Sequence, residues 1–173
     1  MNRITAIDVE TSGLNPARGD RVLEIAAVTI ADGNILAEFS SLIRVACNIP
    51  KHVTTIHGIT SKMLTDQPAP ETIWPQFLAF IGDTPLVAHN APFDIRFIRA
   101  ELNRLGYPLM NPYRCTLDLA RQRFPRLRNH KLETVARHVL GTIPSDCQLH
   151  RALGDARLVA RMWGRMGGEL NVR

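Results

Sequence analysis

The sequence predicts a single α/β domain in which helices flank a mixed β-sheet. Two strands joined by a tight turn come early in the chain, and strand and helix patterns alternate after them. This order is expected of a sheet that carries helices on its faces. The length of 173 residues fits one domain, because domains commonly run to ~100–150 residues and split only well beyond that. We therefore predict one domain over residues 1–173.

The first part of the chain carries strand patterns. Ile4–Asp8 alternates with a period of two and leads into a turn at 11–16. Val22–Ile30 is a second, largely apolar strand, and Ile35–Ile43 is the third. The Asp32-Gly33 pair between them is a strong hairpin signal. These three strands predict two antiparallel connections.

Helical patterns dominate after the third strand, with one short buried strand, Pro85–Ala88, among them. Ile73, Phe77 and Ile81 show the spacing of an amphipathic helix. Pro75 falls in the first turn of that helix, where a missing N–H costs little. The predicted helices are, in chain order, Lys51–Thr55, Ser61–Thr65, Thr72–Ile81, Pro92–Leu105, Thr116–Phe124, Lys131–Leu140 and Arg151–Met166.

Composition and cysteine content exclude several classes of protein. Apolar residues make up 45% and charged residues 21%, which is ordinary globular usage and not that of disordered or fibrous chains. The longest apolar stretch, Ile25–Ala31, is far shorter than the ~20 residues of a membrane span, and Asp8 interrupts any signal-peptide apolar region. The three cysteines are odd in number and far apart, which argues against a disulfide framework or zinc site. We expect a soluble, cytoplasmic protein.

Charge is unevenly distributed along the chain. Residues 1–90 hold 6 Lys/Arg against 9 Asp/Glu, whereas residues 91–173 hold 15 against 7. Arginine outnumbers lysine 18 to 3, and guanidinium suits bidentate phosphate contact better than ammonium does. The basic half therefore favours an anionic partner, although a solvated face of unpaired arginines would have the same composition.

The first strand ends in a pair of carboxylates on one face. Asp8 and Glu10 follow Ile4 and Ala6 at intervals of two, and side chains two apart in a strand share a face. Because Ile4 and Ala6 are apolar, that face is predicted to be buried. A buried carboxylate is costly unless a cation or hydrogen bonds neutralise it. The alternative is that the strand has already ended and both groups are solvated.

Two further carboxylates and a histidine lie in the second half of the chain. Asp94 occupies the first turn of the helix that opens at Pro92, where it could simply cap the helix. However, sites tend to form where a strand of an α/β sheet ends and a helix follows. Asp155 borders the apolar stripe of the last helix, three residues after Ala152. His150 lies on the loop that enters this helix, either close to what Asp155 binds or as an ordinary loop histidine.

Four carboxylates with one histidine suit hydrolysis of a phosphodiester. Oxygen ligands select hard cations such as Mg²⁺ or Mn²⁺, and two ions ~3.5–4 Å apart can stabilise the attacking and leaving oxygens of an in-line displacement. A histidine of near-neutral pKa can take the proton from the attacking water. The sequence contains no phosphate-binding glycine loop, His-Glu-x-x-His or Gly-x-Ser-x-Gly that would indicate another chemistry.

These segments resemble the three motifs of the DEDD exonuclease superfamily in its histidine-containing branch, the DEDDh or DnaQ-like family. The order and separations fit, and the resemblance covers nearly the whole chain. It is greatest to the epsilon-type proofreading domain of bacterial DNA polymerase III. The sister branch has a tyrosine four residues before the last aspartate, and neither Tyr107 nor Tyr113 is so placed. The matching segments are Asp8-Val9-Glu10-Thr11-Ser12-Gly13-Leu14, His89-Asn90-Ala91-Pro92-Phe93-Asp94 and His150-Arg151-Ala152-Leu153-Gly154-Asp155-Ala156.

The resemblance implies an RNase H-like fold with a mixed five-stranded sheet and a 3′→5′ exonuclease that releases nucleoside monophosphates with two divalent cations, Mg²⁺ or Mn²⁺. By this resemblance Asp8 would bridge both ions, Glu10 and Asp155 would complete one, and Asp94 would support the other. His150 would be the general base. The expected partner is nucleic acid with a free 3′ end, with DNA and single strands favoured.

The resemblance also implies residues that contact the substrate. Thr11 and Leu14, in the turn after the first motif, would contact the 3′ end. Asn90 and Phe93 would flank the path of the strand, although core packing explains Phe93 equally well. His57, in a His-Gly-Ile-Thr segment shared with the family, would lie near the terminal base or sugar.

The sequence leaves the substrate and the partner open. An RNA-trimming enzyme of the same branch, or a catalytically silent nucleic-acid-binding module, would share the fold. Segment 113–138 carries seven Lys/Arg and could neutralise the backbone of a bound strand. Because the predicted last helix is followed by only a few residues, we expect no tail that would attach the domain to a polymerase.

Overall fold

A computed structural model describes residues 3–167 of the chain and contains a five-stranded mixed sheet of order β3-β2-β1-β4-β5. The predicted domain also includes residues 1–2 and 168–173, which lie outside the described part. The α/β class and the mixed sheet are confirmed. The strands are β1 (Arg3–Thr11), β2 (Val22–Ala31), β3 (Asn34–Leu42), β4 (Leu86–Ala88) and β5 (Tyr113–Cys115).

The central strand β1 joins an antiparallel half of the sheet to a parallel half. It pairs with β2 in antiparallel register and with β4 in parallel register, while β3 and β5 form the edges. The residue patterns located four of these strands and missed β5. Its three residues are too few to show a period, and its pairing with β4 alone identifies it as a strand.

Seven helices cover the sheet among the described residues, close to the predicted ranges. One expectation is wrong: α3 begins at Pro70, so Pro75 lies inside the helix beyond its first turn. Within residues 3–167, none of the helices combines the length and the apolarity that a bilayer span requires. The helices are α1 (Lys51–His57), α2 (Ser61–Leu64), α3 (Pro70–Ile81), α4 (Ala91–Arg104), α5 (Thr116–Arg123), α6 (Leu132–Leu140) and α7 (Ala152–Arg165).

The sheet is buried on both faces, which explains why β2 reads as an almost continuous apolar run. On one face, α3 and α4 form the larger core, with Trp74, Phe77 and Phe97 fully buried. On the other face, α7 packs through the small side chains of Ala152 and Ala156. Small residues let a helix approach the sheet closely, so α7 brings its first turn next to the end of β1. The helices α5 and α6 pack on the outer side of α7.

Candidate metal centre

Three carboxylates meet where the end of β1 faces the first turn of α7. Asp8 and Glu10 project to the α7 side of the sheet, the same side as the buried Ile4 and Ala6. Asp155 reaches them from α7 and is 8% exposed. One oxygen from each of the three carboxylates lies within 4.8 Å of the other two. The structure thus brings together three of the four carboxylates singled out in the sequence.

Asp94 approaches the same place from the first turn of α4 and is 3% exposed. Its Oδ1 accepts a hydrogen bond from the backbone N–H of Val9 at 3.2 Å. It lies outside the group of three, yet its charge helps to raise the pKa of Asp8. Asp94 therefore neighbours the cluster and is tied to β1, the strand that carries Asp8.

The four carboxylates resist ionisation together in the absence of a cation. Burial is the main cause of the raised pKa of each of them. Repulsion from others of the four adds to it for Asp8, Glu10 and Asp94, and repulsion from Glu24 adds to it for Asp155. The pKa of Glu10 rises to about 8 and that of Asp155 to about 6, while those of Asp8 and Asp94 also rise. Bound positive charge would reverse this, since it favours the ionised forms.

The donor set fits a hard divalent cation. All ligands on offer are carboxylate oxygens, the type that Mg²⁺ and Mn²⁺ prefer. Asp155 Oδ1 is buried without a hydrogen-bond partner among the described residues, although buried polar atoms are nearly always satisfied. A cation between Asp8, Glu10 and Asp155 would satisfy this atom.

His150 lies at the edge of this cluster, on the loop that leads into α7. The residue is exposed and has a left-handed backbone, with φ of 57°. Its backbone N–H donates to Asp155 Oδ2 at 3.2 Å, so the position of the histidine is coupled to a candidate metal ligand. This is the loop position that the sequence predicts.

The turn after β1 presents one of its two expected substrate residues to solvent. Leu14 is 77% exposed, so its apolar side chain faces solvent. Thr11 is 7% exposed, and its hydroxyl donates to the carbonyl of Gly13 at 2.6 Å. In this structure the Thr11 hydroxyl therefore stabilises the turn.

His57 lies at the end of α1 and is 6% exposed. Its Nδ1 accepts the backbone N–H of Ile59 at 2.9 Å, which leaves the proton of the neutral ring on Nε2. Nε2 is buried and has no hydrogen-bond partner among the described residues. Burial lowers the pKa of His57, while the backbone of Thr11 acts in the opposite direction. The ring is thus a neutral donor beside the turn that follows β1.

Asn90 and Phe93 lie where β4 passes into α4. Asn90 is exposed and has a φ of 70°, a left-handed conformation that asparagine tolerates better than most residues. Phe93 is half-buried, with its ring 5.0 Å from that of Phe97 and 5.8 Å from the guanidinium of Arg96. Phe93 therefore packs at the margin of the core and also borders the surface.

Two polar residues near the site were not predicted to matter. Glu24 on β2 is 3% exposed and accepts two hydrogen bonds from Arg151. The sequence signal that could have identified Glu24 is a glutamate within the largely apolar strand β2. His89 opens the second motif, and its ring contacts Thr116 Oγ1 at 3.0 Å and the carbonyl of His130 at 2.8 Å.

The His89 contact ties the basic segment to the site. Through the carbonyl of His130, it holds the loop between α5 and α6 next to the strand that precedes Asp94. Within the part of the chain that the structure describes, three side chains of this loop form no ion pair. They are Arg126, Arg128 and Lys131.

Comparison with known proteins points to one family. A family model described as Exonuclease (RNase_T) matches residues 5–162. The DNA polymerase III subunit epsilon of Aquifex aeolicus is 36% identical over 165 residues, which cover 95% of this chain and 80% of that protein. A PolC-type DNA polymerase III of Clostridium perfringens is 38% identical over 155 residues, or 90% of this chain. The chain spans 10% of the length of that relative.

A solved structure extends the similarity to the fold. Exonuclease X in complex with 5′ overhanging duplex DNA matches with a TM-score of 0.76 and 29% sequence identity, covering 98% of this chain and 94% of that one. The RNase H-like arrangement of the sheet and helices is therefore confirmed.

Proposed function

The chain belongs to this exonuclease family, as its three motifs predict, and on that premise we propose that it removes nucleotides from the 3′ end of nucleic acid by metal-dependent hydrolysis. DNA is the favoured substrate, and nucleoside monophosphates are the products. One observation carries the proposal: carboxylates from β1 and α7 meet within 4.8 Å, and one buried oxygen among them lacks a partner among the described residues.

The carboxylates would hold two divalent cations, Mg²⁺ or Mn²⁺. Asp8, Glu10 and Asp155 would hold one, and Asp8 together with the neighbouring Asp94 would hold the other. Such cations would supply positive charge that stabilises the phosphate oxygens and the attacking water. The Val9 N–H and the His150 N–H, which bind Asp94 and Asp155, orient these two ligands in advance.

His150 would act as the general base. Its imidazole would take a proton from the water that attacks the terminal phosphodiester. The bond from phosphorus to the 3′ oxygen of the preceding nucleotide would break, and this oxygen would take a proton from solvent to become the new 3′ hydroxyl. The exposure of His150 on a loop lets the ring release this proton to solvent. Its backbone bond to Asp155 keeps the histidine at the cluster.

The 3′-terminal nucleotide would lie between the turn after β1 and the start of α4. Leu14 would offer its exposed apolar side chain to a base, and His57, beside the turn that follows β1, would lie near the terminal sugar or base. Thr11 would position this turn, while Asn90 and Phe93 would border the strand. A DNA complex of the related Exonuclease X supports DNA as the substrate.

The proposal is tested with 5′-labelled DNA and RNA oligonucleotides of one sequence, incubated with Mn²⁺, Mg²⁺ or chelator. We expect a ladder of products shortened from the 3′ end, only with metal, and faster on DNA. Asp8→Asn should abolish the ladder by loss of metal. Asp118→Asn, which changes an exposed carboxylate on α5, should degrade DNA like the wild type. Binding of DNA without metal-dependent cleavage would contradict the proposal.

A further inference from the structure

Two buried glutamates that the proposed chemistry does not use bind loops on opposite faces of the sheet. Glu24 on β2 is 3% exposed, and Glu101 on α4 is 2% exposed. Each accepts two hydrogen bonds from one arginine and a third from a backbone N–H. Buried carboxylates with several charge-assisted bonds hold their partners firmly, because removing the arginine would leave a buried charge poorly compensated. Glu101 has a second arginine beside it, Arg104, whose Nη1 lies 3.1 Å from its Oε1.

Glu24 attaches the start of α7 to the sheet. Arg151 Nε donates to its Oε2 at 3.0 Å and Nη2 donates to Oε1 at 2.6 Å, while the N–H of Ala152 donates at 3.1 Å. Glu24 is also the register partner of Glu10 across β1 and β2, and such partners lie on the same face of a sheet. The Glu24–Arg151 ion pair therefore joins the loop before α7 to β2, at the level of Glu10 on the neighbouring strand β1.

This attachment acts on the residue next to Arg151. His150 is bonded to Asp155 through its N–H, and its left-handed backbone allows few alternative positions. The preceding part of the loop lies against α7, because a Cβ on Gly154 would overlap the carbonyl of Gln148. With Arg151 bound to Glu24, the loop is held on both sides of His150.

Glu101 holds the other loop, the turn that contains Leu14. Arg21 Nε and Nη2 each donate to Glu101 at 2.8 Å, and the N–H of Val22 donates at 3.2 Å. Arg21 closes the turn, since Ser12 N–H donates to its carbonyl and its own N–H donates to Ser12 Oγ, both at 2.9 Å. The Glu101–Arg21 pair therefore holds the base of the turn that carries Leu14, while Arg96 Nη2 donates to the Leu14 carbonyl at 2.8 Å.

We propose that Glu24 and Glu101 are positioning residues with separable effects. Glu24 orients the loop that carries His150 and so sets the rate of turnover. Glu101 orients the turn that carries Leu14 and so sets the binding of the 3′ end. This inference rests on the proposed function, since it assigns the two pairs to the two loops that flank the candidate metal centre.

The test compares Glu24→Gln, Glu101→Gln and a matched control, Glu38→Gln. Glu38 also binds an arginine of α7 with two bonds, from Arg157 Nε at 2.7 Å and Nη2 at 2.6 Å, but on the edge strand β3. Glu24→Gln should lower kcat on single-stranded DNA by about tenfold or more, while its KM stays within about twofold of the wild-type value. Glu101→Gln should raise KM by about fivefold or more with kcat nearly unchanged. Glu38→Gln should alter neither.

A second readout separates positioning from loss of metal or of fold. Mn²⁺ affinity and the thermal midpoint are measured for each variant, and we expect Glu24→Gln to bind Mn²⁺ within about threefold of the wild type. If a glutamine variant does not fold, Arg151→Lys and Arg21→Lys replace it, because lysine keeps the charge but loses the bidentate contact. These lysine variants should show the same separation between kcat and KM.

Three outcomes are decisive. If folded Glu24→Gln and Glu101→Gln behave like Glu38→Gln, or if both change kcat and KM alike, the positioning roles are wrong. If the wild type fails to shorten DNA with Mn²⁺, the proposed function fails instead. A drop in Mn²⁺ affinity that matches the drop in kcat would assign Glu24 to the metal site, against the inference.

Discussion

At the scale of single residues, two of the four carboxylates are held by backbone hydrogen bonds from different elements. Asp94 is bonded to the backbone of β1, and Asp155 is bonded to the backbone of His150. Asp155 Oδ1 remains buried and unbonded within the described residues. The cluster is therefore organised before any cation binds, which lowers the cost of assembling the site on substrate binding.

A His150→Ala variant tests the role of the loop histidine. We expect turnover on single-stranded DNA to fall by roughly 10²–10⁴-fold, the usual scale for a positioned base, while Mn²⁺ affinity stays near that of the wild type. Single-turnover rates and calorimetry with Mn²⁺ measure the two effects. His138→Ala, which changes an exposed histidine on α6, is the control. Wild-type turnover in His150→Ala would show that another group accepts the proton.

The raised pKa of Glu10, about 8 against an ordinary 4.5, predicts a pH-dependent stability in chelator. The Glu10 carboxyl binds its proton more tightly in the folded state than in the unfolded chain. Protonation of Glu10 therefore stabilises the fold fully below ~pH 4.5, and this stabilisation is lost as pH rises through about 8. From about pH 6 to about pH 8.5, the thermal midpoint of the wild type should fall relative to that of Glu10→Gln.

Divalent cations should reverse this trend. Mn²⁺ needs ionised carboxylates and should therefore raise the midpoint of the wild type more at about pH 8.5 than at about pH 6. Scanning calorimetry of both proteins, with Mn²⁺ and with chelator, measures these shifts. A difference between the two midpoints that stays constant with pH would contradict the raised pKa of Glu10.

At the scale of elements, α7 links the metal centre to the core. Its first turn carries Asp155, and its later turns bury Val159, Met162 and Trp163. This helix is closely packed at two points. Ala152 and Ala156 lie against the sheet, and Gly154 lies against the loop before the helix. A shift of α7 would therefore move Asp155 and His150, the proposed metal ligand and the proposed general base, together.

Gly154→Ala tests this coupling. The new Cβ would meet backbone atoms of Gln148, which cannot rotate away as a side chain could, so we expect a loss of about 1–3 kcal/mol in unfolding free energy and reduced turnover. Gly164→Ala, in the same helix with nothing within 4 Å of the added Cβ, should gain about 0.5–1 kcal/mol instead. Urea denaturation and DNA digestion measure both variants. If Gly154→Ala and Gly164→Ala had the same unfolding free energy, the loop that contains Gln148 would move aside without loss of stability.

At the scale of the whole molecule, the acidic site adjoins a basic surface. Within residues 113–138, Arg121 and Arg137 pair with acids of their own helices. Arg126 and Arg128 form no ion pair with any described residue, and their loop is bound to His89 next to the site. If the 3′ end of a strand binds at the carboxylates, as we propose, these arginines would neutralise the backbone of that strand.

Salt should therefore weaken substrate binding more than it slows saturated turnover. We expect KM for single-stranded DNA to rise with salt, and a double Arg126→Gln/Arg128→Gln variant to raise KM at low salt and flatten the salt dependence. Arg137→Gln, whose side chain already pairs with Glu133 at 2.9 Å, should change the slope little. A KM that is the same at low and high salt would remove this role from the segment.

The sequence by itself determined the fold class, four of the five strands and the seven helices, and it singled out three carboxylates that the structure brings together. Each of these depends on local information, namely periodicity, turn residues and the spacing within motifs. Only the tertiary structure decided where the fifth strand lies, that Glu24 binds Arg151 across 127 residues of chain, and that the Thr11 hydroxyl bonds within its own turn. The first two are contacts between distant segments, which no local pattern encodes. The last depends on a backbone geometry that residue types alone leave open.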